Sequence, residues 1–200
     1  MRLVIKLPIL LGLGALLAFG FVACSDDDDD VSTSDSPTPA SSVVVSTSTP
    51  FPDNGYQFEI SEVHLGEDGY VTLRNYTDTP ASLKGLFLCQ PPSCVELPDM
   101  EIAPESPALV AVGDGEGLDS VVVTDAGLDL VPANGEVALF ASDDVNDSAQ
   151  IRSYLEWGST PHEATDQAIE AGIWLEGSYA PASDTATRLF RNDQGLWLFE

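Results

Sequence analysis

Short apolar runs recur along most of this chain, each closed by a turn cluster, and that spacing limits the fold more than any other feature. Phe58 and Ile60 alternate with Glu59 and Ser61, then Val63 and Leu65 fall on the opposite phase, which predicts a β-bulge or strand end near Glu62. Val71 and Leu73 alternate with Tyr70, Thr72 and Arg74, the pattern of a half-buried strand. Further runs lie at Leu86 to Cys89, Ala108 to Val112, Val121 to Val123, Val137 to Ala141, Ile151 to Trp157, Thr187 to Phe190 and Leu196 to Phe199. Turn signals separate them at Glu67-Asp68-Gly69, Asn75 to Pro80, Gly113 to Gly117, Ala133-Asn134-Gly135 and Asn192 to Gly195. Many short strands at this interval predict an all-β sandwich or barrel over 54–200, and about 147 residues suffice for one real core. One helix interrupts the pattern. Thr160-Pro161-His162-Glu163 has the form of a capping box, with Thr160 at the N-cap, Pro161 at N1 and Glu163 at N3. Ala164, Ala168 and Ile169 form an apolar stripe and Gly172 a stop, so this helix is expected to cover an open end of the sandwich between Trp157 and Trp174.

The first 23 residues read differently. Arg2 and Lys6 precede an apolar run from Ile9 to Phe21, too short for the roughly 20 residues of a membrane span and suited to a signal peptide. It ends at Phe21-Val22-Ala23-Cys24, which resembles a bacterial lipobox, although Phe21 stands where that motif more often has Leu. Cleavage after Ala23 would leave Cys24 as a lipidated N-terminus, since a thiolate is the nucleophile able to take the diacylglycerol. Two or more acyl chains, at about 0.8 kcal/mol per buried CH₂, anchor stably where one does not. Residues 24–53 then read as a disordered acidic tether. From Ser25 to Pro52, 22 of 28 residues are Ser, Thr, Pro or Asp, including Asp26 to Asp30, too polar to offset the entropy of ordering. As a coil it would reach about 30 Å. Val43-Val44-Val45 could pair with a sheet edge, but disorder is expected.

Charge excludes some partners. The formal net charge is −26, from 33 acidic and 7 basic residues, and the leader contains two of the basic ones. Such a field repels nucleic-acid phosphates, whose binding needs Lys and Arg, and disfavours direct contact with anionic lipid heads. Cations, basic surfaces and neutral glycans remain, beside the plain role of solubility. Of three cysteines, Cys89 and Cys94 are left once Cys24 is lipidated. They bracket Gln90-Pro91-Pro92-Ser93, and an oxidising compartment would join them as a hairpin-tip disulfide.

The segments Phe58-Glu59-Ile60-Ser61-Glu62-Val63, Tyr70-Val71-Thr72-Leu73-Arg74-Asn75, Leu83-Lys84-Gly85-Leu86-Phe87-Leu88 and Asn134-Gly135-Glu136-Val137-Ala138-Leu139 occur in the order found in lamin-tail-type domains, which they resemble. Tyr154-Leu155-Glu156-Trp157-Gly158, His162 and Ala171-Gly172-Ile173-Trp174 resemble a variant common in bacterial exported members. The resemblance covers roughly Gln57 to Phe199, departs where Leu86-Phe87 stands for a Trp after glycine, and leaves Gly195 to Phe199 unmatched. It implies an immunoglobulin-like β-sandwich that binds or scaffolds, with no catalytic residues to transfer.

Candidate chemistry is sparse. His64, close to Glu62, and His162 are the two histidines; neither lies in an HExxH pattern, and no GxSxG elbow accompanies them. Asp143, Asp144, Asn146 and Asp147 could offer oxygens to Ca²⁺, as could Asp114, Glu116 and Asp119. EF-hand spacing fails, however, because Ala149 and Leu155 fall where Gly and Glu are required, and solvated turns are the better reading of the clusters. Carboxylate pairs for glycoside hydrolysis are uninformative among 33 acids. Trp157, Trp174, Trp197 and Tyr179 could form a sugar-stacking platform, but core packing around the helix is the preferred reading. The expectation is therefore an exported protein, lipid-anchored to the cell membrane or outer membrane, with no cofactor and no enzymatic activity. Its sandwich would meet an envelope protein or glycan; a Ca²⁺- or glycan-binding module and a small secreted hydrolase are the alternatives.

Overall fold

The computed structural model describes residues 56–192 and 195–200. The leader over 1–23, Cys24, and the tether over 24–53 with Val43-Val44-Val45 lie outside the described residues. Twelve strands and one helix follow in order: β1 (Phe58–His64), β2 (Tyr70–Asn75), β3 (Ala81–Ser82), β4 (Phe87–Gln90), β5 (Ser93–Glu96), β6 (Glu101–Ile102), β7 (Pro107–Ala111), β8 (Val121–Val123), β9 (Gly135–Phe140), β10 (Ile151–Trp157), α1 (Thr165–Glu170), β11 (Arg188–Arg191) and β12 (Trp197–Phe199). They form an all-β sandwich. The first sheet runs β12-β11-β1-β2-β7-β8, the second β10-β9-β4-β5, and β3 pairs with β6 apart from both. All pairings are antiparallel except β7 with β8.

Alternation explains the core. In β1 and β2, Phe58, Ile60, Val63, Val71 and Leu73 point inward and are buried. The expected slip occurs where predicted, because the β1–β2 register shifts between Ile60 and Glu62. From the second sheet, Val137, Leu139 and Leu155 share the face that meets them, all completely buried. The Ser153 hydroxyl on that face accepts the Ile60 N–H at 3.0 Å, a bond between the sheets.

The opposite face of β9 and β10 is also buried, which alternation alone does not anticipate. Glu136 and Glu156 stand opposite each other in the register, as do Ala138 and Tyr154, and the segment that contains α1 covers them. The helix therefore lies against the outer face of the second sheet, not over an open end. Its start also differs from the capping box. The Thr160–Pro161 peptide is cis, α1 begins at Thr165, and its N-cap residue, Ala164, has no capping side chain. Thr160 instead donates to Glu156 Oε1 at 2.8 Å. The helix does stop near Gly172, which takes the left-handed φ of +73° just after the C-cap residue Ala171.

Cys89 and Cys94 are disulfide-bonded across the β4–β5 hairpin, directly opposite in register. Edge strand β5 is nearly all exposed, which is why no apolar run announced it. Asn75 closes the turn after β2: its buried amide donates to the carbonyls of Thr79 and Ile102, and its Oδ1 accepts from the Thr77 amide.

Two glycines past strand and helix ends make the packing testable. Gly158 has φ +78°, and an added Cβ there would collide with the Ala133 carbonyl. Gly172 has a similar φ with nothing within 4 Å. Gly172→Ala should cost about 1–2 kcal/mol, the penalty of a left-handed L-residue alone. Gly158→Ala should cost more, because backbone must also move. Urea unfolding of both variants measures the difference, and equal costs would contradict the packing described. Reduction of Cys89–Cys94, in the same assay, should remove about 2 kcal/mol, the loop-closure entropy of so short a ring.

Candidate functional site

The densest polar cluster is on the outer face of β9 and β10. Glu156, fully buried, accepts at Oε1 from the Trp174 indole N–H at 2.9 Å and from the Thr160 hydroxyl, and at Oε2 from the Thr165 hydroxyl at 2.8 Å. Glu136, also buried, accepts the backbone N–H groups of Glu163 at 2.9 Å and Ala164 at 3.0 Å. Tyr154 joins the two acids, its phenol 2.9 Å from Glu136 Oε2 and 3.2 Å from Glu156 Oε2. Burial, and then the Glu136 charge, push the phenol far above its usual range, so it remains a proton donor. Its ring meets Trp174 edge-on at 5.3 Å. All four carboxylate oxygens thus have donors, and most donors come from residues 160–174. Buried acids supplied in this way hold structure in place. The sequence contained one overlooked sign of this: Glu156 lies within the Ile151 to Trp157 run, and Glu136 directly precedes the Val137 to Ala141 run.

His64 does sit beside Glu62, Nε2 to Oε1 at 3.2 Å, and stacks on Tyr70 at 4.3 Å. Arg188 donates to the other Glu62 oxygen at 2.9 Å. His162 precedes the helix instead of lying in its first turn; its backbone N–H donates to Thr165 Oγ1 at 2.7 Å. His64 is on β1, whereas His162 is in the segment between β10 and α1, and no contact joins the two. Nearby on β1, Glu59 contacts Arg191 at 2.6 Å, yet burial outweighs that guanidinium and lifts the carboxyl to about 7.

The acidic loop uses its own oxygens. Asp144 Oδ1 accepts the Asn146 N–H at 3.1 Å, Asp147 Oδ1 accepts the Ala149 N–H at 2.9 Å, and Asp143 is exposed. Asp114 likewise accepts the Glu116 N–H. Among the described residues, no three or more His, Cys, Asp or Glu side chains gather as a metal site. Trp157, Trp174 and Trp197 are all buried, which places them in packing and not on a platform; Tyr179 is half-buried.

A groove of about 200 Å³ opens where the sheets part, lined by Tyr56, Gln57, Phe58, Ser82, Lys84, Leu86, Leu139 and Arg152. Arg152 lies in a β10 register shift between Ile151 and Ser153, its guanidinium 4.8 Å from the Tyr56 ring centre. Lys84 Nζ is 2.9 Å from Asp99. None of these residues was singled out from the sequence as a site, since the bulge that turns Arg152 aside leaves no mark in the apolar pattern. Among the described residues no helix is long and apolar enough to cross a membrane. Compared with known proteins, the chain matches no family model, no curated protein and no solved structure.

The buried acids yield two expectations. Glu156→Gln sets an amide NH₂ against one of two donor pairs, so stability should fall by roughly 2–4 kcal/mol in urea unfolding, with the strands retained by circular dichroism. Glu59 binds its proton more tightly folded than unfolded. Its contribution is therefore complete below the unfolded value of 4.5 and is lost as pH rises towards about 7. Glu59→Gln should flatten the decline of melting temperature across that window, and an unchanged profile would assign the decline elsewhere.

Proposed function

We propose that this chain is an exported, lipid-anchored cell-envelope protein whose sandwich, of the lamin-tail and immunoglobulin-like type, is a non-catalytic binding or scaffolding module. Phe21-Val22-Ala23-Cys24 supports the anchor, and the Cys89–Cys94 bond accords with an extracytoplasmic site at the cell membrane or outer membrane. The binding reading is carried by one contrast. Glu136, Glu156 and Tyr154, the acids and phenol buried together, are fully engaged in holding the covering segment, whereas the groove beside Arg152 is open and rimmed with polar groups. The lipid would fix the place, the tether would give reach, and the domain would present that recess to a partner.

Two measurements test it. Labelled palmitate should enter the wild-type chain and be absent from Cys24→Ala. A photo-crosslinking residue in place of Met100 or Leu175, 42% and 48% exposed, should give a discrete adduct in intact cells. An unlabelled wild type, or a purified chain that turns over an ester, peptide or glycoside, would sink the reading.

A further inference from the structure

The five basic side chains among the described residues are not equivalent. Arg74 pairs with Glu105 at 3.3 Å, Lys84 with Asp99 at 2.9 Å, Arg188 with Glu62 at 2.9 Å and Arg191 with Glu59 at 2.6 Å. Among the described residues, Arg152 is the one basic side chain with no carboxylate in salt-bridge range. It is nevertheless held. Nη1 donates to the Ala149 carbonyl at 2.7 Å and the Ile151 carbonyl at 3.3 Å, and the Tyr56 ring lies against the guanidinium. Nε and Nη2 are left without a bonded partner among the described residues. A guanidinium fixed on one edge and unused on the other is organised in advance for a planar carboxylate.

The rest of the groove describes the ligand's body. Phe58, Leu86 and Leu139 give an apolar floor, while Gln57, Ser82 and Lys84 put an amide, a hydroxyl and an ammonium on the rim. At about 200 Å³ the recess is smaller than the roughly 300 Å³ where sites for drug-sized ligands begin, so it suits a single ring. The net charge of −26 opposes long polyanions while tolerating one carboxylate.

We propose that the groove around Arg152 binds a singly charged sugar acid, a uronate ring. Its carboxylate would lie on the unused edge of Arg152, its hydroxyls on Gln57 and Lys84, and a C–H face on the apolar floor. The proposal rests on the binding-module reading and names its ligand.

Calorimetric titration of the full-length chain in detergent with glucuronate, glucose and acetate tests it. Glucuronate should bind, and glucose and acetate should each bind at least about tenfold more weakly, since each lacks half of what the groove recognises. Arg152→Met should weaken glucuronate by about ten- to a hundredfold. If that variant is unfolded, Arg152→Lys keeps the charge without the fork and should lose about tenfold. No binding of glucuronate, equal binding of acetate, or unchanged affinity in the folded Arg152 variant overturns the proposal. An envelope adduct at Met100 or Leu175 without glucuronate binding removes only the ligand assignment; loss of both removes the module reading as well.

Discussion

Two carboxylates facing each other across a β-ladder should repel, and Glu136 and Glu156 do face each other, buried, between β9 and β10. What makes the arrangement tolerable is supplied from a distance. Thr160, Thr165, Trp174 and the backbone of Glu163 and Ala164 bring donors from the excursion that follows β10. That excursion is also the connection by which the chain leaves the second sheet and returns to the first, where β11 pairs with β1. The sheet cannot bury its acids without the covering segment. The segment, with a helix of six residues and no capping side chain of its own, is ordered by those acids together with its buried Ala164, Ala168 and Trp174. Each half supplies what the other lacks, and closure of the sandwich depends on both.

This dependence marks the limit of what the residues alone reveal. Period-two alternation located most strands because each turns one face to the core, and it even located the β1 slip, since a bulge inverts the phase of every side chain beyond it. The disulfide was legible for a similar reason: two cysteines around a proline turn have few other partners. The helix start was not. Thr160 and Glu163 have the local form of a cap, but Glu156, close in space, takes the Thr160 hydroxyl, and Glu136 takes the Glu163 and Ala164 amides. A local signature yields when a buried charge from another element needs the same donor more. Core packing was the preferred reading of Trp157, Trp174 and Trp197, and their burial agrees with it.

The groove was invisible for a different reason. Ile151 to Trp157 reads as one strand, and nothing in the run shows that Arg152 is passed over by the ladder. The reason lies across the interface. β1 slips at Ser61 and β10 slips at Arg152, and the two irregularities meet, with the N–H of Ile60 donating to Ser153 Oγ of the opposing sheet. A bulge diverts a backbone donor from ladder bonding; here Ser153 of the other sheet provides the acceptor, and Arg152, the extra residue of the β10 bulge, has its guanidinium against Tyr56. The bond that fastens the two sheets and the cation that lines the groove thus arise from one pair of slips. It follows that the charge at the groove is set as rigidly as the contact between the sheets, and that a change regularising either bulge should move both.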